Sequence, residues 1–443
     1  MPDPTWGPGG NGSGDAGMTI PVDIAATGAR ATAMLEALGA VSQGEAGLTR
    51  FFLTPEHRRA ADLVAGFMRE AGLDVSEDAL GTVRGHWHPA GADAPRLLIG
   101  SHIDTVAQAG KYDGTMGVVA GILALEAVIK AGVIRPYGID VLAFGDEEGT
   151  RFPTTLSSSA AVAGHFLPSW LGARDADGIS LEAAIRAYGK DPAHIPAAAY
   201  DPEKTIAYIE AHIEQGPVLE AEGQPLGIVS GIAGASRLSI TVTGEAGHAG
   251  TVPMRMRRDA FAGAAEMALV AEKIARADRH GMVATVGRLH VEPGSVNVIP
   301  SRVVFTLDLR SGSDLSRREA LTEFEREAHR IADARGLGVV ISAFHEVGTV
   351  PCYRDLQLRL RNAAADLGHR APTLPSGAGH DGQAMSQLCP IGMLFVRCRG
   401  GISHNPAEYA APEDIGLAVA ALVRFIERFA LPQLASSPNG ADQ

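Results

Sequence analysis

Leu97 to Gly114 reads LLIGSHIDTVAQAGKYDG, and the fold follows from this stretch. Leu97, Leu98 and Ile99 form a short apolar run closed by Gly100, the pattern of a parallel strand buried on both faces. In open α/β sheets, chemistry gathers at the carboxyl ends of such strands. His102 stands at that end with a neutral imidazole to offer a metal. Asp104 lies two residues on, on the same side if strand geometry continues. From there its carboxylate would accept a hydrogen bond from the other ring nitrogen and fix the tautomer. Asp113, in Tyr112-Asp113-Gly114, stands just before an apolar helical run, where a carboxylate can bridge two metal ions. A helix-capping aspartate after a loop histidine fits this stretch alone equally well.

Downstream, Gly117 to Lys130 has the composition of a core helix, and Ile139 to Phe144 that of another buried strand. That strand runs straight into Gly145-Asp-Glu-Glu-Gly149. Strand, helix, strand at this spacing is a βαβ unit and implies a mainly parallel sheet. Two acidic clusters therefore fall at the carboxyl ends of two strands of one sheet. Upstream, Ile24 to Leu38 and Pro55 to Ala71 carry helical periodicity, and Leu73 to Val75 and Val83 to His88 read as strands. Thr205 to Ala211 leads into His212-Ile-Glu-Gln-Gly216.

The pattern changes near Gly223. A strand at Arg237 to Thr243, a helix at Arg258 to Ala277, strands at Met282 to His290 and Val303 to Arg310, a helix at Leu315 to Arg335 and a strand at Gly338 to Phe344 follow in order. This β-α-β-β-α-β order is that of a ferredoxin-like sandwich. After Pro351 the α/β pattern resumes, with a helix at Leu356 to Leu367, a glycine-rich loop at Ser376 to Gly382, a strand at Ile391 to Val396 and a closing helix at Ile415 to Phe429. The expected fold class is α/β, a mainly parallel catalytic domain in two pieces, 19–222 and 346–432. An α+β lid or dimerisation domain is inserted at 223–345. Residues 1–18, rich in Gly, Pro and Asp, read as a disordered tail, and 433–443 as a loose one.

The 443 residues suffice for two or three domains, and 46% hydrophobic against 20% charged residues allows a large core. A net charge of −13 argues against nucleic acid or an anionic membrane as partner and suits solubility. Cys352, Cys389 and Cys398 make no CxxC pair, which fits a reducing cytosol. No basic start with an apolar run marks a signal peptide. The longest apolar candidate, Gly117 to Ile129, is too short to span a bilayer and contains Glu126. The expected location is cytoplasmic.

Five nitrogen and oxygen donors recur at strand ends: His102, Asp113, Glu148, His212 and His404. Such a set suits zinc, manganese, cobalt or nickel. Five are too many for one catalytic ion that keeps an open position. They suit two ions about 3.5–4 Å apart sharing a carboxylate. Glu147 would then act as general base, taking a proton from water and passing it to a leaving nitrogen. His248, in the glycine-flanked loop Gly244 to Gly250, could donate to an oxyanion. Arg310 closes a strand and has the fork that clamps a carboxylate. From spacing alone, His248 fits a turn histidine as well, and Arg310 fits a surface arginine better.

These stretches resemble the M20 metallopeptidase superfamily, in the branch of N-carbamoyl-L-amino-acid hydrolases, ureidopropionases and allantoate amidohydrolases. The matching segments are GSHIDTV to YDG (100–114), DEEGTRF (146–152), HIEQGPVLE (212–220), GEAGHAGTVPM (244–254), SVNVIP (295–300), LDLR (307–310), SGAGHDG (376–382) and GGISHNPAE (400–408). HIEQG and GGISHNPAE belong to this branch rather than to M20 peptidases at large. Ser157 to Ser159 stand where the family's loop would carry a glycine. The resemblance implies two divalent ions per subunit, Zn2+ first and Mn2+, Co2+ or Ni2+ as alternatives. They are held by His102, Asp113, Glu148, His212 and His404, with Asp113 bridging and Glu147 as base. It implies substrate contacts from Gln215, His248, Asn297, Arg310 and Gly401, with Arg310 on the carboxylate. It further implies a homodimer in which the inserts meet. The implied reaction is hydrolysis of the ureido C–N bond of an N-carbamoyl-L-amino acid to amino acid, CO2 and NH3. Allantoate or N-carbamoyl-β-alanine are the alternative substrates, HIEQG argues against an ordinary aminoacylase or dipeptidase, and the intact Glu147 argues against an inactive metal-binding scaffold.

Overall fold

The computed structural model describes residues 19–44, 46–279 and 281–431, so both expected tails lie outside the described residues. The chain divides into two compact units. Among the described residues the first comprises 19–230, 352–374 and 380–431, and the second 231–351 and 375–379.

The first unit is built on a sheet whose spatial order begins Asp74–Glu77, Val83–Trp87, Gly138–Phe144, Arg96–His102, Thr205–Ile213, Ile391–Val396, Leu226–Ile232. The four central strands, from 138–144 to 391–396, run parallel. The strands outside them are antiparallel. The parallel centre is apolar on both faces because helices cover both, and Gly138–Phe144 is buried along its whole length. The helix Thr115–Lys130 is buried almost all round. It lies so close to the sheet that a Cβ on Gly117 would come 2.0 Å from the Ala211 carbonyl oxygen. Only glycine lets this helix approach, and its start carries Asp113 and Gly114 to the strand ends. Pro55–Glu70 starts as its sequence dictates: Thr54 caps it by accepting from the His57 amide at 3.2 Å, and Pro55 occupies the first turn.

Two features depart from the sequence reading. The strand Leu226–Ile232 pairs antiparallel with Ile391–Val396, so the first unit continues past the change of pattern at Gly223. Residues 157–198, which carry no strong periodicity, form the short helices Ser157–Val162 and Leu181–Ala187 and two 3-10 turns. Among the described residues no helix is long and apolar enough to cross a membrane.

The second unit contains a sheet ordered Leu289–Glu292, Arg302–Ser311, Gly234–Thr243, Gly338–Val347. With helices Ala260–Ala277 and Asp314–Arg335 this is the ferredoxin-like arrangement. Arg302–Ser311 alternates buried and half-buried residues, so one face meets a core of Ile240, Val242, Phe305, Phe324 and Ile331. The single strand expected at 282–290 is two short ones, Val283–Thr285 and Leu289–Glu292. Both pair with Arg302–Ser311, and the break falls at Gly287-Arg288, where the Thr306 hydroxyl accepts the Arg288 amide at 3.1 Å.

Candidate metal centre

The parallel strands of the first unit deliver their ends to one rim. His102 is the last residue of Arg96–His102, and Asp146, Glu147 and Glu148 follow Gly138–Phe144. His212 is next to last in Thr205–Ile213, and His404 lies beyond Ile391–Val396. Asp113 is at their centre. Its Oδ1 lies 3.1 Å from His212 Nε2 and 3.6 Å from His102 Nε2, and its Oδ2 lies 3.3 Å from His404 Nε2. His404 Nε2 is 3.5 Å from Glu148 Oε1, and His102 Nε2 is 3.9 Å from Glu147 Oε2. Donor atoms of His102, Asp113 and His212 lie within 4.8 Å of one another, as do those of Asp113, Glu148 and His404. One Asp113 oxygen faces each group, the arrangement a bridging carboxylate requires.

The histidines are aimed by their backbones. His102 Nδ1 lies 3.0 Å from the Asp104 carbonyl and His212 Nδ1 2.9 Å from the Ile213 carbonyl. A carbonyl only accepts, so Nδ1 carries the proton and Nε2 turns its lone pair inward. Asp104 departs from expectation here, because the strand ends at His102. Its carboxylate is 3.6 Å from Nδ1 and instead accepts the amides of Glu147 at 3.2 Å and Glu148 at 3.3 Å. Asp104 thus ties the acidic turn to the histidine strand.

Charge is concentrated in this rim. Burial, reinforced by Glu148, pushes Glu147 well above the usual carboxylate range. Burial and the nearby Asp113 push Glu148 up to about 7. Burial also raises Asp113, but contacts from His102, His212 and His404 outweigh it and hold it well below its ordinary value. Burial lowers His102, and Asp104, Asp113 and Glu147 more than reverse that. Among the described residues no lysine or arginine pairs with Asp113, Glu147 or Glu148. A divalent cation competes with protons for these sites and relieves the crowding of carboxylates. The donor set therefore fits hard or borderline divalent ions.

The backbone is strained where these side chains emerge. Asp146, Gln215 and His404 have φ of 62°, 56° and 54°. Such conformations cost about 1–3 kcal/mol each and persist where surroundings enforce them. Gly114 also has positive φ, and a Cβ there would come 2.4 Å from the His102 ring. Gly401, at φ 65°, abuts the Gly216-Pro217 backbone, where a Cβ would meet Gly216 at 2.6 Å. Gln215 Nε2 donates to Asp113 Oδ2 at 2.8 Å and lies 3.2 Å from the Ser403 hydroxyl, so in this state its amide serves Asp113.

Several supports escaped the sequence reading. Glu408 Oε1 accepts the amides of Tyr112 at 2.8 Å and Asp113 at 3.1 Å, and Ser403 Oγ stands between Asp113 Oδ2 at 2.9 Å and Glu408 Oε2 at 3.0 Å. Glu210 accepts from Ser101 and from the Gly382 amide, and the His380 ring meets His212 edge-on at 4.4 Å. Buried Arg50 donates to the carbonyls of Leu38 and Ile103, both at 2.7 Å, and steadies the loop after His102. The available signal was Glu210, two residues before His212 on one strand face. The Ser157 hydroxyl donates to Asp146 and the Ser158 hydroxyl to the Gly145 carbonyl, so the start of the helix Ser157–Val162 helps hold the acidic turn.

Three other candidates lie in the second unit. His248 and Asn297 come together because Gly247–His248 pairs with Val298–Ile299, and the Ala249 amide donates to the Asn297 carbonyl at 2.9 Å. Both side chains are exposed. Arg310 is not the free fork expected. Its Nε and Nη2 each donate to Asp308 at 3.0 Å, and Nη1 donates to the Gly377 carbonyl at 2.7 Å. Of its five N–H groups, one on each Nη remains for a ligand. Asp308, itself paired with Arg237 at 3.1 Å, orients it in a hollow of about 560 Å3 lined also by Arg288 and Phe344.

An α/β sheet whose strand ends gather histidines and carboxylates into two groups sharing one aspartate defines a metallohydrolase. The model of peptidase family M20/M25/M40 matches residues 98–428, and the chain belongs to this family. It is 44% identical over 405 residues to an N-carbamoyl-L-amino acid amidohydrolase of Geobacillus stearothermophilus, covering 91% of this chain and 98% of that one. It is 41% identical over 429 residues to an allantoate deiminase of Arabidopsis thaliana, covering 90% and 81%. A crystal structure of a hydantoinase/carbamoylase family amidase from Burkholderia multivorans aligns with a TM-score of 0.86 at 32% identity, covering 93% of this chain and 99% of that one.

Because Asp113 serves both donor groups, Asp113→Ala should empty both of divalent metal, read by elemental analysis after dialysis. Wild-type ion content in that variant would end its role as the shared ligand.

Proposed function

We propose that the protein hydrolyses the ureido C–N bond of N-carbamoyl-L-amino acids, consuming one water and releasing amino acid, CO2 and NH3. The reading is carried by the two donor groups around Asp113, with Glu147 beside them, in a chain 44% identical to an N-carbamoyl-L-amino acid amidohydrolase. His102, Asp113 and His212 would hold one divalent ion, and Asp113, Glu148 and His404 a second, with Zn2+ the first choice. Held by these residues, divalent ions would supply Lewis-acid polarisation of the scissile carbonyl and a more acidic water. Glu147 takes the proton from the attacking water and hands it to the leaving nitrogen. Asp104 holds the Glu147 and Glu148 amides and so fixes where the base sits.

The remaining contacts fall to Gln215, Gly401 and the second unit. Arg310, oriented by Asp308, binds the substrate carboxylate with its two remaining N–H groups, and His248 and Asn297 donate to the oxygen on which charge develops. Allantoate, which also pairs a carboxylate with ureido groups, is the second reading, favoured by the 41% identity to an allantoate deiminase. The setting is a cytoplasmic homodimer, with the second unit as lid and dimerisation domain.

The substrate assignment is tested by ammonia release from N-carbamoyl-L-amino acids, their D-forms, N-carbamoyl-β-alanine, allantoate and N-acetyl amino acids. Preference for the N-carbamoyl-L series is expected, and preference for allantoate would replace it with the second reading. Arg310→Ala should raise KM for the preferred substrate at least ~10-fold, in line with loss of charge-assisted hydrogen bonds. Equal turnover of the acid and its carboxamide by the wild type would remove the clamp.

Dimeric action is tested by mixing two inactive variants, His248→Ala and Glu147→Gln, under conditions of subunit exchange. If His248 acts on the partner's site, each mixed dimer has one intact site, and activity should recover to roughly a quarter of wild type. A mixture that stays inactive, with exchange shown by mass-tagged chains, would place His248 in its own subunit's site or outside catalysis.

A further inference from the structure

At the other end of the strands that carry the acidic turn, a third set of donors converges. Val83–Trp87 and Gly138–Phe144 are antiparallel neighbours, and His86 stands directly opposite Asp140. His88 follows two residues later, on the same side of the chain as His86. His86 on one strand, Asp140 opposite it on the next, and His88 one residue past the end of the first strand together offer three ligands.

The donor atoms are already close. Asp140 Oδ1 lies 3.1 Å from His86 Nδ1 and 2.8 Å from His88 Nε2, and all three donor atoms lie within 4.8 Å of one another. Ligand atoms about 2.0–2.1 Å from a tetrahedral zinc lie about 3.3 Å apart, and both Asp140 contacts come within about half an ångström of that spacing. His86 Nδ1 is buried and is not aligned for a hydrogen bond. The outer contacts are those that steady a ligand set. His86 Nε2 is 2.7 Å from the Ser76 hydroxyl, and the Tyr200 hydroxyl donates to Asp140 Oδ2 at 2.8 Å. Arg96 also reaches Asp140 Oδ2, at 3.5 Å, and opposes a cation there, although its Nη2 is directed to the Ala92 carbonyl at 2.9 Å. Asp140 is fully buried, while the histidine side chains keep 20% and 22% exposure, which leaves a path for an ion and room for a water ligand. Asp140 pairs with Leu98, four residues before His102, which puts this cluster about 13 Å along the sheet from the catalytic rim.

We propose that His86, His88 and Asp140 form an additional site for one divalent transition-metal ion of the zinc type, separate from the catalytic groups. The donor set, two imidazoles and one carboxylate, selects Zn2+, Cu2+ or Ni2+ over Mg2+ or Ca2+.

The test compares the full-length wild type with the double variant His86→Ala/His88→Ala. Both are stripped of metal, dialysed against micromolar Zn2+ and analysed for bound zinc. The double variant should hold one ion per chain fewer than wild type, with turnover of the preferred substrate unchanged. Asp113→Ala should keep the ion that the double variant lacks. These differences do not depend on how many ions the catalytic rim takes or on which substrate it hydrolyses. The milder His88→Gln variant should bind that ion at least ~10-fold more weakly, and it decides the question if the double variant misfolds. Equal zinc content in wild type and double variant, or unchanged affinity in His88→Gln, would reduce the cluster to a hydrogen-bonded support for Asp140.

Discussion

The candidate metal centre depends on the burial of one carboxylate, that of Asp113, among three imidazoles. Nothing about that position is cheap. The side chain is almost wholly buried, its neighbours include Glu148 and Glu408, and the backbone at Asp146, Gln215 and His404 is held at positive φ. Such a cluster is tolerable when each carboxylate has defined partners and a cation neutralises the whole. The structure supplies the partners: backbone amides on Asp104 and Glu408, imidazoles and Gln215 on Asp113. A bound divalent cation would supply the charge.

The sheet makes this constellation possible. Four parallel neighbours end at one rim, so residues more than three hundred positions apart in the chain converge without a long loop reaching inward. The close seat of Thr115–Lys130 on the sheet, which Gly117 permits, sets the height at which Asp113 enters. In the second unit the same economy appears on a smaller scale. A two-stranded ribbon sets Asn297 beside the His248 turn, and adjacent residues on paired strands lock Arg310, Asp308 and Arg237 together. Asp308 was legible only as part of LDLR, and its place in the structure explains its presence there. It takes the side edge of the Arg310 fork, while Nη1 donates to the Gly377 carbonyl.

Much of this was legible because buried parallel strands have an unmistakable composition and their ends are marked by polar residues. LLIGSH and the run from Ile139 to Glu148 located two strands and the polar turns that close them from local pattern alone. What escaped was whatever depends on long-range contact. Glu408 and Ser403 sit in a loop with no periodicity, yet Glu408 holds the Tyr112-Asp113 backbone and Ser403 the Asp113 carboxylate, almost three hundred residues away. Leu226–Ile232 could not be assigned to the first sheet, because its partner is Ile391–Val396. Asp104 was placed by extending strand geometry past His102, and the chain leaves the strand there, so its carboxylate turned to two amides.

The most direct measurement is turnover of Glu147→Gln together with its metal content. Glutamine keeps the size of glutamate but cannot accept the proton. With ion content unchanged, kcat should fall at least ~10²-fold, the lower end for loss of a general base. Near-normal turnover by a variant holding its full complement of metal would contradict the placing of acid–base chemistry on Glu147.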